Sequence, residues 1–190
     1  MSHLRRALSF GLITAVFVGG ALPTLGGELA GVQMSDSRKV GDTTLVLNGL
    51  ALRKKAIFKV YVAGLYLPAK SKDARKILAE DSPRALEMEF VRSVGKDSLV
   101  GAWEDCLSAN APGAGSAIQD GFARLGKWMT DVKSGDRIGF FYDPTSGVSV
   151  EVGGRIAGTV EGRSFADTLF SCWIGEVPPS EDFKAGLLGN

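Results

Sequence analysis

Histidine is almost missing from this 190-residue chain. The one copy is His3, so no imidazole follows the third residue. That removes Ser-His-Asp and Cys-His nucleophile systems and His-ligated zinc or iron sites. Cysteine is scarce too: Cys106 and Cys172 are the only pair and cannot make a four-thiolate site. Neither a metal nor another cofactor is therefore expected. An excess of one charge is also lacking, since the formal net charge is +1, and nothing favours a nucleic-acid partner. The chain has no internal repeat, low-complexity linker or composition break.

What is present begins with Arg5 and Arg6, ahead of a charge-free stretch from Ala7 through Leu25. Gly26, Gly27 and the first acid, Glu28, follow. This has the form of a secretory signal, with cleavage expected near Gly26 or Gly27. An uncleaved anchor is the alternative, because the stretch approaches spanning length, but Gly19, Gly20 and Pro23 interrupt it. Residues 1–27 are thus read as a signal peptide and 28–190 as one periplasmic or secreted domain without stable membrane insertion. Taking Arg5 and Arg6 from the 22 basic residues leaves 20 against 21 acids. In an oxidising compartment Cys106 and Cys172 are allowed to pair. Two buried free thiols are the plainer reading, and pairing cannot be read from spacing.

The stretch from Arg53 to Leu67 is β-branched and aromatic, ends at Pro68, and reads as a buried strand carrying polar groups. Alternation places Phe58, Val60, Val62, Gly64 and Tyr66 on one face. Ile57, Lys59, Tyr61, Ala63, Leu65 and Leu67 share the other, together with Arg53 if no bulge intervenes. A cation and a phenol facing one apolar compartment suit an anionic ligand. Taken alone, Arg53 beside Lys54 and Lys55 reads as a solvated turn residue, and Tyr61 equally as a core tyrosine bonded to backbone.

Before this strand, Val40 to Leu47 alternates weakly and Asn48-Gly49 reads as a turn. After it, Ser71 is placed to cap a helix through Glu80, and Arg84 to Arg92 alternates as a strand with one wet side bearing Glu87 and Glu89. A helix from Asp97 or Ser98 carries Leu99, Trp103, Cys106 and Leu107, broken by Asn110 to Gly115. Ser116 with Gln119 has the form of a capping box for a second helix through Met129. The segments Arg137 to Tyr142, Val148 to Val152 and Arg155 to Val160 form a three-stranded meander. Ser164 with Asp167 forms another capping box, for a helix through Trp173, and Ser180 caps a last short helix. Strands and helices segregate instead of alternating, which predicts an α+β fold with an antiparallel sheet packed against helices.

Gly49-Leu-Ala-Leu-Arg53, Lys59-Val-Tyr-Val-Ala-Gly-Leu-Tyr-Leu67, Trp103-Glu-Asp-Cys-Leu107, Trp173-Ile-Gly-Glu and Phe183-Lys-Ala-Gly-Leu-Leu-Gly189 resemble the chalcone isomerase superfamily, closest to its exported bacterial members. The resemblance implies an open-faced β-sandwich: a large antiparallel sheet, a layer of helices and a ligand cleft between them. True chalcone isomerases hold a phenolate with an arginine and need neither metal nor covalent intermediate, so a chain poor in histidine can belong. Of the site positions carried over, only Arg53 is kept. Tyr61 stands at the family's threonine, Ser98 at its helix tyrosine, Asp105 at its asparagine, and Cys172 near its serine or threonine. A bulky ring and an added carboxylate argue against flavonoid cyclisation, and no catalytic set is carried over. Arg53 with Tyr61 instead resembles the arginine and tyrosine of the superfamily's fatty-acid-binding branch, where a guanidinium fork and a phenol hold a carboxylate. The resemblance thus implies an apolar carboxylate as ligand, with Arg53, Tyr61, Ser98, Asp105 and Cys172 as candidate contacts. The alternative is an isomerase or intramolecular lyase using Arg53 to stabilise negative charge.

Overall fold

The structure, a computed structural model, describes residues 25–190; the expected signal segment lies almost wholly outside them. Strands β1 (Leu25–Leu29) and β2 (Val32–Ser35) form a hairpin of their own, and β1 already spans the glycines where cleavage was expected. Seven further strands make one antiparallel sheet: β3 (Ser37–Val40), β4 (Thr43–Lys55), β5 (Phe58–Leu67), β6 (Arg84–Phe90), β7 (Arg137–Asp143), β8 (Gly147–Val152) and β9 (Arg155–Val160). Each pairs with its neighbour in sequence. Five helices follow among the described residues: α1 (Ala74–Ala79), α2 (Lys96–Asn110), α3 (Ser116–Trp128), α4 (Arg163–Ile174) and α5 (Glu181–Leu187). The α+β fold is the expected one, a curled antiparallel sheet packed against helices.

The sheet has two apolar faces of unequal size. Ala63, Leu65, Leu86, Met88 and Phe140 meet Trp103, Phe122, Leu169 and Trp173 of the helices in the main core. Trp103, Phe140 and Trp173 pack around one another with centroids 5.3–5.6 Å apart, at separations where tilted and edge-to-face rings attract. On the opposite face, Leu45, Leu47, Val62, Tyr66 and Ala85 pack with Val32 and Met34 of the β1–β2 hairpin. This second core corrects the expected wet side of β6. Glu87 is only 8% exposed and pairs with Arg38 at 2.6 Å, because the hairpin covers that face. Burying a carboxylate without such a partner would cost several kcal/mol, on the order of an unpaired buried ion.

Asn48-Gly49 does not turn the chain. It sits in a β-bulge within the 13-residue β4. The Asn48 side chain donates to Leu187 O at 2.8 Å and Ser71 O at 3.0 Å, and accepts from Ser71 N–H at 2.8 Å. A Cβ on Gly49 would lie 2.2 Å from Gly186 O, so the glycine admits the end of α5. The real turn is Ala56-Ile57, with Ala56 at φ 52°, so Arg53 lies near the end of β4 while Tyr61 lies on β5. They are directly opposite each other across the hairpin, and opposed residues of an antiparallel pair share a face. The shared compartment therefore arises from cross-strand pairing, not from parity within a single strand.

Helix starts differ for a similar reason. Asp73, not Ser71, caps α1 by accepting from Lys76 N–H at 3.1 Å. Ser116 and Ser164 lie inside helices that follow Gly115 and Gly162. Gln119 bonds to Ala114 O instead of closing a box, and Asp167 is drawn away by Arg84 and Arg163. The first N–H of α2 is met by Asp131, 35 residues away, at 2.8 Å. Ser180 caps α5 as expected, accepting from Phe183 N–H.

Candidate functional site

The hairpin β4–β5 brings Arg53 and Tyr61 side by side on the helix-facing side of the sheet, close to the hairpin turn. Helix α2 lies over them, and Ser98, Ala102, Asp105 and Ala109 form one stripe at steps of four, three and four along it. Helix α4 supplies Cys172 and Trp173, and the segment Val177-Pro178-Pro179 forms a rim. Between these elements lies a cavity of about 400 Å³, with Met88, Phe90, Leu99 and Trp103 in its apolar wall. That volume lies within the range of small-molecule sites, and an apolar wall with few polar groups is their usual make-up.

All five residues singled out in the sequence line this cavity: Arg53, Tyr61, Ser98, Asp105 and Cys172. Their chemistry is unequal. Arg53 is half-buried, and one guanidinium nitrogen, Nη1, donates to Lys54 O at 2.7 Å and Pro179 O at 3.1 Å. Among the described residues no carboxylate pairs with it. Its other nitrogens remain as donors, and the two carbonyls fix the fork in place. Tyr61 is clasped by Phe90 and Phe183, both edge-on at 5.6 and 5.8 Å. Its hydroxyl accepts from the Trp173 indole N–H at 3.3 Å, and its own proton has no acceptor among the described residues. Burial pushes this phenol up to about 12, against the pull of the Trp173 bond and the Arg53 charge. Tyr61 is therefore a neutral hydrogen-bond donor at any ordinary pH.

Ser98 and Asp105 are exposed on α2 and stand at the edge of the cavity. Cys172 is bonded to Cys106, with Cα atoms 5.4 Å apart. It contributes half a disulfide to the wall, not the free thiol of the plainer reading. Both α2 and α4 had to dock before the two sulfurs could meet, which is why spacing left the pairing open.

Sequence reasoning missed several wall residues. Trp103 is buried, as expected of a core residue, yet its indole N–H has no hydrogen-bond partner among the described residues. Phe183, which backs Tyr61, comes from the far end of the chain. The Pro178-Pro179 dipeptide was a readable sign of a rigid exposed segment, but its meeting with Arg53 is tertiary. A larger, open groove of about 1100 Å³ runs between α1 and the ends of α2, α4 and α5. It is a solvent-facing trough that holds none of the candidate residues. No cluster of three or more His, Cys, Asp or Glu suited to a metal occurs among the described residues.

Residues 26–189 match the model of a family described as chalcone isomerase-like. The chain belongs to this family. Among solved structures, the crystal structure of an Arabidopsis thaliana fatty-acid binding protein is similar, with a TM-score of 0.62 and 18% identity over 83% of this chain and 92% of that one. At that identity the likeness is one of fold. No curated protein matches the chain. No helix among the described residues is long and apolar enough to cross a membrane.

Proposed function

We propose that this chalcone isomerase-like protein binds a fatty acid or a similar apolar carboxylate, head group on Arg53 and Tyr61 and tail in the cavity, without chalcone isomerase activity. The observation that carries the reading is the Arg53 guanidinium, unpaired by any carboxylate among the described residues and fixed by two backbone carbonyls, beside a phenol whose proton meets no acceptor among them. A carboxylate would take a charge-assisted bond from the fork and a further bond from the phenol. The tail would gain about 0.8 kcal/mol per buried methylene. Tyr61 also bears on flavonoid chemistry: its ring, held by Phe90 and Phe183, occupies the place where a small hydroxyl side chain would leave room.

We further propose that the protein is periplasmic or secreted. The disulfide Cys106–Cys172 suits an oxidising compartment, and Arg5, Arg6 and the apolar run after them have the form of an export signal. Native mass spectrometry and solvent extraction of the purified full chain test the ligand. One acyl chain per protein is expected to copurify and to be lost from Arg53→Ala. Delipidated protein that takes up no fatty acid would overturn the reading. Turnover of an enone that vanishes in Arg53→Ala would replace it with an intramolecular lyase.

A further inference from the structure

The two-residue turn between β4 and β5 is unusual in what it exposes. Tight hairpins favour Asn-Gly, because both central residues take conformations that glycine and asparagine tolerate best. Here the turn is Ala56-Ile57, with Ala56 in the left-handed region at φ 52°. Ile57 is 88% exposed and Phe58, just after it, 53%. A stable, soluble hairpin end would be polar, so this apolar tip does not serve the hairpin itself.

Its flanks are basic. Arg53, Lys54, Lys55 and Lys59 surround the tip with no acid between residues 53 and 60, and Arg92 stacks over the Phe58 ring at 4.5 Å. Lys54 lies directly opposite Lys59 in the ladder, a like-charge pair that weakens strand pairing. None of these cations is ion-paired among the described residues. The tip also adjoins the cavity mouth: Lys55 and Val60, just behind the turn, line the cavity. Across the mouth stands Val177, another exposed apolar side chain.

From these we infer that the β4–β5 hairpin tip docks reversibly on an anionic lipid surface, seating Ile57 and Phe58 among the acyl chains and the lysines on the head groups. Exposed apolar side chains within a ring of unpaired cations complement such a surface in both charge and polarity. Docking there sets the cavity mouth against the bilayer, so that an apolar carboxylate could pass between membrane and cavity without crossing water. That consequence rests on the carboxylate-binding reading; the docking itself does not.

Sedimentation of the full chain with vesicles tests it, comparing phosphatidylglycerol mixed with phosphatidylcholine against phosphatidylcholine alone. The protein is expected to sediment with the anionic vesicles, to be released by high salt, and to stay in solution with neutral ones. Ile57→Asp combined with Phe58→Ser should lower vesicle binding at least tenfold, and Lys54→Glu with Lys59→Glu should abolish its salt dependence. Uptake of a fluorescent fatty acid in vesicle-free solution should be unchanged in Ile57→Asp/Phe58→Ser, which also shows that the variant folds. Failure of the unaltered chain to bind anionic vesicles, or equal binding by Ile57→Asp/Phe58→Ser, overturns the inference. So does self-association without vesicles that the tip variant abolishes, since the tip would then join copies of the chain. Vesicle binding in a protein that takes up no fatty acid would leave the docking standing and remove the cavity reading.

Discussion

The helix-facing side of the sheet carries the same pair twice, an arginine directly opposite a tyrosine on neighbouring antiparallel strands. At one end Arg84 faces Tyr142; at the other Arg53 faces Tyr61. Arg84 is 1% exposed, lies over the Tyr142 and Phe170 rings at 4.7 and 4.9 Å, and donates to Ile77 O, Glu80 O and the Asp167 carboxylate. Tyr142 donates to Asp81 at 2.5 Å. At that end the protein supplies its own anions, and Arg84 borders only a small pocket of about 160 Å³. At the Arg53 end no carboxylate among the described residues pairs with the guanidinium, the phenol keeps its proton, and a cavity lies beside the pair. The difference teaches that the arginine–tyrosine pair is not itself a binding signature. What distinguishes a site from a structural pair is the missing anion.

The comparison can be broken at either end. The largest effect is expected at the cavity wall, where the disulfide ties α2 to α4 across 66 residues of chain. Replacing both cysteines with serine should lower stability by about 4 kcal/mol, the loop-closure value for such a span, read by chemical denaturation of oxidised protein. At the filled end, Asp167→Asn leaves Arg84 buried without its anion and should cost about 3 kcal/mol. Arg53→Ala, by contrast, should cost only about 1 kcal/mol, because no carboxylate among the described residues pairs with its charge and only its bonds to the Lys54 and Pro179 carbonyls are lost. Equal costs for Asp167→Asn and Arg53→Ala would erase the distinction between the two ends.

A smaller, pH-dependent effect sharpens it. Tyr61, Tyr66 and Tyr142 are all pushed up to about 12, burial being the largest cause in each. Below pH 10 each is neutral in both folded and unfolded chains. Between about pH 10 and 12 the unfolded chain releases protons that the folded one retains, so stability falls as pH rises, by at most about 2 to 3 kcal/mol per tyrosine. Ultraviolet titration should show phenolate appearing late and together with unfolding. A bound carboxylate should delay the ionisation of Tyr61 further and leave that of Tyr142 where it was.

Much of the fold was legible because its signals are local. The meander from Arg137 to Val160 alternates cleanly, and Ser180 precedes a helix whose first turn it can reach. The errors came where distant residues compete for the same group. Asn48-Gly49 is good turn chemistry, but α5 takes it for packing; Asp167 is placed to close a capping box, but Arg84 binds it. The second core was hidden for the same reason, since nothing within β6 shows that the β1–β2 hairpin covers it. For the site, all five candidates proved to line one cavity, while the resemblance that selected them could not show which were free to act. Cys172 is consumed by Cys106, Ser98 and Asp105 sit at an exposed edge, and Trp103 entered the wall unannounced.

Titration calorimetry of delipidated protein with a long-chain fatty acid and with the alcohol of equal length isolates the unpaired guanidinium, because the two ligands share a tail and differ in the head. The acid should bind one-to-one and at least tenfold more tightly than the alcohol, about 1.4 kcal/mol, with the difference gone in Arg53→Ala. Equal affinity for acid and alcohol in the unaltered chain, or no binding of either, would contradict a cavity built around a cation awaiting its anion.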